Sequence, residues 1–173
     1  FQFFEKFPSI QVAVDADRKN GIEQLLSLPE KPEVILLDDA FQHRKVKAGF
    51  YILLTSYGDL YSDDCMLPTG NLRETRSGAK RADLIVVTKC PFDLSLDKQN
   101  DIRKRLKLSV NQQLYFTFIA YDTFVYGEKQ KVNINEIQST VKVLVAGIAK
   151  PEPFFTYLKN TNDVCLSFPD HHN

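Results

Sequence analysis

Short apolar runs separated by polar and amphipathic segments dominate the hydropathy pattern of this chain. The runs at residues 34–37 and 84–88 are apolar on both faces, which is typical of strands in a parallel sheet that helices cover. Further strands are predicted at residues 10–14, 50–55, 114–120, 141–146 and 164–168.

Helical patterns lie between several of these strands. Residues 17–28 carry an apolar stripe, and two prolines end the pattern. Residues 96–106 form a charged amphipathic pattern with Ile102 and Leu106 facing inward, and residues 151–158 begin with a proline suited to a first helical turn. The alternation of strands and helices predicts βαβ units, and therefore an α/β fold with a mostly parallel sheet and flanking helices.

Two segments lack a regular pattern. Residues 56–81 are long, polar and rich in turn formers, and a loop of this length inside a compact domain is usually functional or disordered. We interpret it as an active-site loop. Residues 121–140 suggest a hairpin or a small insertion in an otherwise single, partial α/β core over residues 1–173.

Composition narrows the class of protein. The 173 residues are 43% hydrophobic and 25% charged, with a net charge of zero, so we expect a globular protein with no nucleic-acid partner. The apolar runs are too short to span a bilayer, and the three cysteines lack metal-ligand spacing. Since the chain begins with Phe1 and its single methionine is Met66, we expect it to be an internal segment of a longer protein.

Two adjacent carboxylates, Asp38 and Asp39, follow the apolar run at residues 34–37. Ligands of parallel sheets bind beyond the carboxyl ends of the strands, and a strand followed by Asp is typical of a Walker B element that holds Mg²⁺. Asp at a strand end also caps turns. The crowding of Gln42, His43 and Arg44 beside the acids favours function, because adjacent acids need a cation to offset their repulsion.

Three motifs resemble one family. Residues 38–44, Asp-Asp-Ala-Phe-Gln-His-Arg, resemble the Asp-Asp-Gly-Phe-Gln-His-Arg signature of the tetraacyldisaccharide 4′-kinases, the lipid A kinases of Gram-negative bacteria. Residues 67–74, Leu-Pro-Thr-Gly-Asn-Leu-Arg-Glu, resemble that family's Leu-Pro-Ala-Gly-Pro-Leu-Arg-Glu, and residues 168–171 resemble its Asp-His element. The departures are Ala40, Thr69 and Asn71.

The resemblance implies a P-loop NTPase-like fold and a reaction. ATP would donate its γ-phosphate to the 4′-hydroxyl of an acylated glucosamine disaccharide 1-phosphate, with Mg²⁺ bound by Asp38 and Asp39. The resemblance also implies that the enzyme acts at the cytoplasmic face of the bacterial inner membrane, with which it would associate through an N-terminal part that we expect to lie outside this segment. The proposed partners are thus ATP, the acylated disaccharide lipid and a membrane surface.

Three arginines are candidate phosphate clamps, because a guanidinium can meet two phosphate oxygens together. They are Arg18, Arg44 and Arg73. Each has a structural alternative, which is an ion pair of Arg18 with Asp15 or Asp17, of Arg44 with Asp38, or of Arg73 with Glu74.

Other candidates complete the site that the resemblance implies. Asp170 and His171 would form the acid–imidazole pair that acts with the catalytic base, since a carboxylate can tune a histidine near neutral pH. Gln42 and His43 would contact the nucleotide or substrate, or would orient the Asp38–Asp39 turn. Lys89 follows the run at residues 84–88 and could pack on a purine, although a solvated lysine is the default at such a position.

A Walker A loop, Gly-x-x-x-x-Gly-Lys-Ser/Thr, is absent from the sequence. Either the protein is no kinase, or the loop lies upstream of Phe1, in which case we expect this segment alone to have negligible kinase activity and weak nucleotide affinity. Two alternatives stay open. Residues 170–172, Asp-His-His, match the signature of the DHH phosphoesterases, which bind two divalent metals, and the chain could also be a non-catalytic α/β nucleotide-binding module.

Overall fold

A computed structural model describes residues 2–127 and 130–169. The chain forms two compact units, Phe1–Ile119 and Ala120–Asn173. The first unit contains helices α1 (Gln2–Lys6), α2 (Arg18–Leu26) and α3 (Leu96–Leu106), the 3₁₀ helix Arg76–Arg81, and strands β1 (Ile52–Ser56), β2 (Leu84–Thr88) and β3 (Gln113–Phe116). The second contains β4 (Phe124–Tyr126), β5 (Lys131–Asn133), α4 (Ile134–Ser139), β6 (Val143–Ala146), α5 (Glu152–Leu158) and β7 (Val164–Ser167).

The first unit is built on a parallel sheet in the order β1-β2-β3. Ile52 pairs with Leu84, and Leu84 pairs with Gln113. Because β2, α3 and β3 follow one another in the chain and the two strands are parallel, they form the βαβ unit that the pattern predicted. The mixed α/β class with a parallel sheet and flanking helices is therefore confirmed.

The core of the first unit lies between the sheet and α3. Ile85 and Val87 of β2 are fully buried, as are Ile102 and Leu106 of α3 to within a few per cent. Burial of one such side chain contributes about 1.5–3 kcal/mol. The helix has the predicted bounds and inward face, and its N-cap is Ser95, whose hydroxyl oxygen accepts a hydrogen bond from Lys98 N.

The second unit holds a parallel pair, β6 and β7, and an antiparallel hairpin, β4 and β5. Lys142 Nζ lies 2.6 Å from Oδ2 of Asp163, whose side chain is fully buried. That hydrogen bond lowers the pKa of the Asp163 carboxyl, and the amides of Asn160 and Lys142 support the charge. The hairpin lies in the segment where the sequence suggested one, while a single core across the whole chain stays a prediction.

Two predicted strands are wrong. Residues 10–14 and 34–37 are not part of a strand, and Val14, Val34 and Leu36 are 94%, 73% and 88% exposed. An apolar run becomes a strand only when a neighbouring strand supplies hydrogen bonds, and neither run pairs with a described strand.

The long segment at residues 56–81 is irregular as far as residue 75 and ends in the 3₁₀ helix. Within the part of the chain that the structure describes, no helix has both the length and the apolar character needed to cross a bilayer.

Candidate functional site

A cavity of about 660 Å³ in the first unit joins two of the motifs found in the sequence. One wall is residues 37–42, which include the paired acids, and another is residues 71–76, which include Arg73 and Glu74. Residues 52–54 of β1, together with Tyr61 and Ala79, complete the lining. Segments about thirty positions apart in the sequence thus meet around one space.

Asp38 and Asp39 both line this cavity, and both residues are exposed. Asp39 has a φ of 44°, a left-handed conformation that Asp adopts more readily than most residues. His43 N donates a hydrogen bond to Ala40 O at 2.9 Å and closes the next turn. Among the described non-glycine residues, left-handed φ values occur at Asp39, Lys89 and Lys107, so Ala40 does not need the freedom of the family's usual glycine.

Glu74 is held by two arginines. Arg81 donates to both carboxylate oxygens, with Nη1 to Oε2 at 3.0 Å and Nη2 to Oε1 at 2.8 Å. Arg44 Nη2 donates to Oε2 at 3.0 Å. The hydrogen bond from Arg81 is the main cause of a lowered pKa for the Glu74 carboxyl, and Arg44 adds to it.

These contacts test two of the ion pairs that were considered as alternatives to phosphate binding. Arg44 pairs with Glu74, so the alternative ion pair of Arg44 with Asp38 is not formed. The alternative ion pair of Arg73 with Glu74 is not formed either, because Arg44 and Arg81 already bind that carboxylate and Arg73 makes no ion pair with a described residue. Arg73 is exposed and lines the cavity.

Arg81 also contacts the other wall of the cavity. Its Nη2 donates to the carbonyl oxygen of Phe41 at 3.0 Å, and its guanidinium carbon lies 4.8 Å from the centroid of the Phe41 ring. The Phe41 ring meets Tyr51 edge-on, with centroids 6.2 Å apart. Sequence reasoning missed Arg81, since it follows the recognised motif by seven positions and has no motif of its own.

A compact loop at residues 64–72 precedes Arg73 and Glu74. Asp64 Oδ1 accepts from the amides of Cys65 and Asn71, and Leu72 N donates to Cys65 O at 3.0 Å. A Cβ on Gly70 would overlap the carbonyl oxygen of Cys65 and lie 2.7 Å from its amide nitrogen. The glycine of this motif is therefore required by close backbone packing.

Gln42 also lines the cavity, while His43 is half-buried beside the turn and outside the lining. Arg18 is the first residue of α2, and Lys89 is exposed after β2 with a φ of 58°. Neither residue lines the cavity.

The alternative ion pair of Arg18 with Asp15 or Asp17 is not formed. Asp17 caps the helix by accepting from Lys19 N, and Asp15 accepts from the amide of Asp17 and the side chain of Asn20. Asp170 and His171 lie outside the described residues.

Over residues 2–127 and 130–169, no group of three or more His, Cys, Asp or Glu side chains has the arrangement of a metal site. Asp38 and Asp39 still fit Mg²⁺, because this ion retains several waters and one or two carboxylates suffice to bind it. Both line the cavity, are exposed and have no described ion-pair partner.

Comparison with known proteins gives consistent matches. The family model described as tetraacyldisaccharide-1-P 4′-kinase matches residues 2–173. The relatives include proteins named tetraacyldisaccharide 4′-kinase from Flavobacterium johnsoniae, 68% identical, Flavobacterium psychrophilum, 63% identical, and Bacteroides thetaiotaomicron, 48% identical. Each match covers all of this chain.

The chain spans about half the length of these relatives, namely 51%, 51% and 49%. No solved structure matches it significantly. Because the family model covers nearly every residue and the motifs at residues 38–44 and 67–74 meet in one site, the chain belongs to the tetraacyldisaccharide-1-P 4′-kinase family.

Proposed function

We propose that this chain is part of an ATP- and Mg²⁺-dependent lipid kinase. The kinase transfers the γ-phosphate of ATP to the 4′-hydroxyl of a tetraacyldisaccharide 1-phosphate, a step of lipid A biosynthesis. The observation that carries the proposal is the cavity shared by residues 37–42 and 71–76 in a chain of this family. The family match also covers Asp170, His171 and His172, so we do not retain the phosphoesterase or the non-catalytic module.

Phosphoryl transfer depends on placing the reactants and on stabilising the charge of the transferring group. In this proposal Asp38 and Asp39 hold Mg²⁺, directly or through its waters. When bound, the ion gathers the phosphates and offsets their charge. Arg73 lines the same cavity without a described ion pair, and its guanidinium can meet two phosphate oxygens. Gln42 supplies an amide for hydrogen bonding to a bound group.

The roles proposed for the remaining candidate residues rest on different observations. Arg44 already neutralises Glu74, so we assign it to holding the site together instead of clamping phosphate. His43 closes the turn after the acids and orients it. Asp170 and His171 are proposed as the acid–imidazole pair acting with the catalytic base, on the strength of the family alone. We also propose that Arg18 clamps a phosphate and that Lys89 contacts the adenine ring. Both roles rest on the family and on the positions of these residues in the chain.

A P-loop NTPase-like sheet is the finer fold that we propose. Strand β1 is the edge of its sheet, and Ile52 and Leu54 are 49% and 64% exposed. The apolar run at residues 34–37 has no strand partner among the described residues, and its last residue lines the same cavity as β1. A further parallel strand could pair with the free edge of β1, and in the whole protein we propose that this strand leads into the glycine-rich phosphate loop.

The chemistry of the proposed substrate also indicates where in the cell the whole kinase acts. Its acyl chains belong in a bilayer, so the whole kinase is proposed to act at the cytoplasmic face of the bacterial inner membrane. We propose no nucleic-acid partner, because the net charge of zero provides no general attraction for one.

A chimera provides the test. In it this chain replaces the matching half of the Flavobacterium johnsoniae relative, which is 68% identical. We expect the chimera to transfer label from [γ-³²P]ATP to the disaccharide lipid, and we expect this chain alone to show negligible transfer. Asp39→Ala in the chimera should lower turnover by roughly 100-fold or more.

The matched control is Asp93→Ala, because Asp93 is exposed and does not line the cavity. It should retain the turnover of the parent chimera. A folded chimera without transfer, or an Asp39→Ala variant with unchanged turnover, would argue against the proposal.

A further inference from the structure

Arg81 joins the two walls of the cavity without lining it. One guanidinium serves both oxygens of Glu74 and the carbonyl oxygen of Phe41. The same group stacks against the Phe41 ring, and its side chain is 29% exposed. We propose that Arg81 is a positioning residue that fixes the Asp38–Asp39 turn relative to Arg73, an inference that rests on the proposed function.

The wall that contains the acids is anchored by the Phe41 side chain, which packs against the hydrophobic core, but it has few backbone hydrogen bonds. Among the described residues 34–43, one backbone–backbone hydrogen bond is formed, from His43 N to Ala40 O. The run at residues 34–37 is not paired in a sheet. The hydrogen bond from Arg81 to Phe41 O, two positions after Asp39, therefore fixes the backbone of a wall whose side-chain anchor is the Phe41 ring.

The opposite wall is tied through the neighbour of Arg73. Glu74 receives two hydrogen bonds from Arg81, and these fix the backbone from which the Arg73 side chain extends. Arg81 thus links the backbone that follows the acids to the neighbour of Arg73, and the Arg44–Glu74 ion pair reinforces the same connection. A lysine cannot replace Arg81 fully, because an ammonium group lacks the fork that meets two carboxylate oxygens and a carbonyl in one plane.

Two readouts in the chimera test this role, using Arg81→Gln, with Arg81→Lys as a second variant that keeps the charge. The first is steady-state kinetics. We expect kcat to fall about tenfold or more, with little change in the KM for ATP, because misplaced reacting groups affect the transition state more than binding. The control is Arg103→Gln, since Arg103 is exposed on α3 and remote from the cavity lining.

The second readout is limited trypsin digestion resolved by mass spectrometry, which does not depend on activity. Cleavage after Arg44, Lys45 and Lys47 reports opening of the wall that contains the acids. Cleavage after Lys104 and Arg105 in α3 reports general unfolding. We expect the first set of sites to be cut about tenfold faster in Arg81→Gln and the α3 sites to be unchanged.

The outcomes separate this inference from the proposed function. Faster cleavage confined to residues 44–47, together with a lower kcat, supports the positioning role. Unchanged cleavage there, or an equal increase at the α3 sites, overturns it. If the parent chimera folds but transfers no phosphate, the proposed function fails, while the digestion pattern still decides whether Arg81 positions the wall.

Discussion

The position of a Cβ on Gly78 would lie only 2.6 Å from Cδ of Glu74. Gly78 is buried in the 3₁₀ helix, directly under the carboxylate that Arg44 and Arg81 share. The absence of a side chain at Gly78 is therefore what allows Glu74 to take its place between the two arginines.

Substitution of Gly78 by alanine should displace the Glu74 side chain and weaken its bonds to both arginines. Overpacking of this kind costs about 1–3 kcal/mol, so the melting temperature of the chimera should fall by several degrees and its turnover should drop. Differential scanning calorimetry and the transfer assay check this. Gly49→Ala is the matched control, since no atom lies within 4 Å of its Cβ position, and equal melting temperatures for the two variants would refute the account of Gly78.

Gly70→Ala should disrupt the loop at residues 64–72, because the new methyl group would overlap the backbone of Cys65. Movement of this loop displaces Arg73, which follows it directly, so we expect turnover to fall by about tenfold or more. Gly58→Ala, at an open position, should behave like the parent chimera. Parent-like turnover in Gly70→Ala would mean that the close packing around Gly70 has no part in placing Arg73.

The lowered pKa of Glu74 predicts a pH dependence with a definite sign. A carboxyl whose folded-state pKa is depressed contributes stability that is fully present above its unfolded pKa, near 4.5, and lost as the pH falls through the lower folded value. The melting temperature of the parent should therefore exceed that of Glu74→Gln at pH 7, and the difference should shrink below about pH 4.5. A difference that stays constant from pH 7 to pH 3 would show that the charge on Glu74 does not stabilise the site.

The second unit offers a separate test of stability. Lys142→Met leaves the Asp163 carboxylate, whose side chain is inaccessible to solvent, without its cation, and an uncompensated charge in such a position is destabilising. We expect a large fall in melting temperature, with Lys150→Met as the exposed control. The double variant Lys142→Met, Asp163→Asn should recover part of the loss, since no unpaired charge remains and the amide oxygen can still accept a backbone hydrogen bond. A double variant less stable than Lys142→Met would contradict this.

The sequence predicted elements whose signals are local. Helix α3 was predicted with its observed bounds, since the amphipathic pattern with Ile102 and Leu106 on its inner face lies within the segment. Strands β1 and β2 were predicted from their apolar runs to within two residues. The same reasoning was wrong for residues 34–37, because an apolar run indicates a tendency to be buried but does not supply a neighbouring strand.

The candidate site was predictable only in part, for a similar reason. The paired acids and Arg73 could be found because they lie in short motifs. Arg81 could not, because its contact with Phe41 spans forty positions and depends on the path of the 3₁₀ helix. The partner of Arg44 was also missed, since thirty positions separate it from Glu74.

Binding of Mn²⁺ as a substitute for Mg²⁺ tests the central claim most directly, because electron paramagnetic resonance reports the bound ion without relying on turnover. The chimera would be titrated with Mn²⁺ in the presence of a non-hydrolysable ATP analogue. We expect Asp39→Asn to weaken Mn²⁺ binding by about tenfold or more, while Asp93→Asn leaves it unchanged. Equal Mn²⁺ affinity in Asp39→Asn and the parent would contradict the assignment of the paired acids as the metal site.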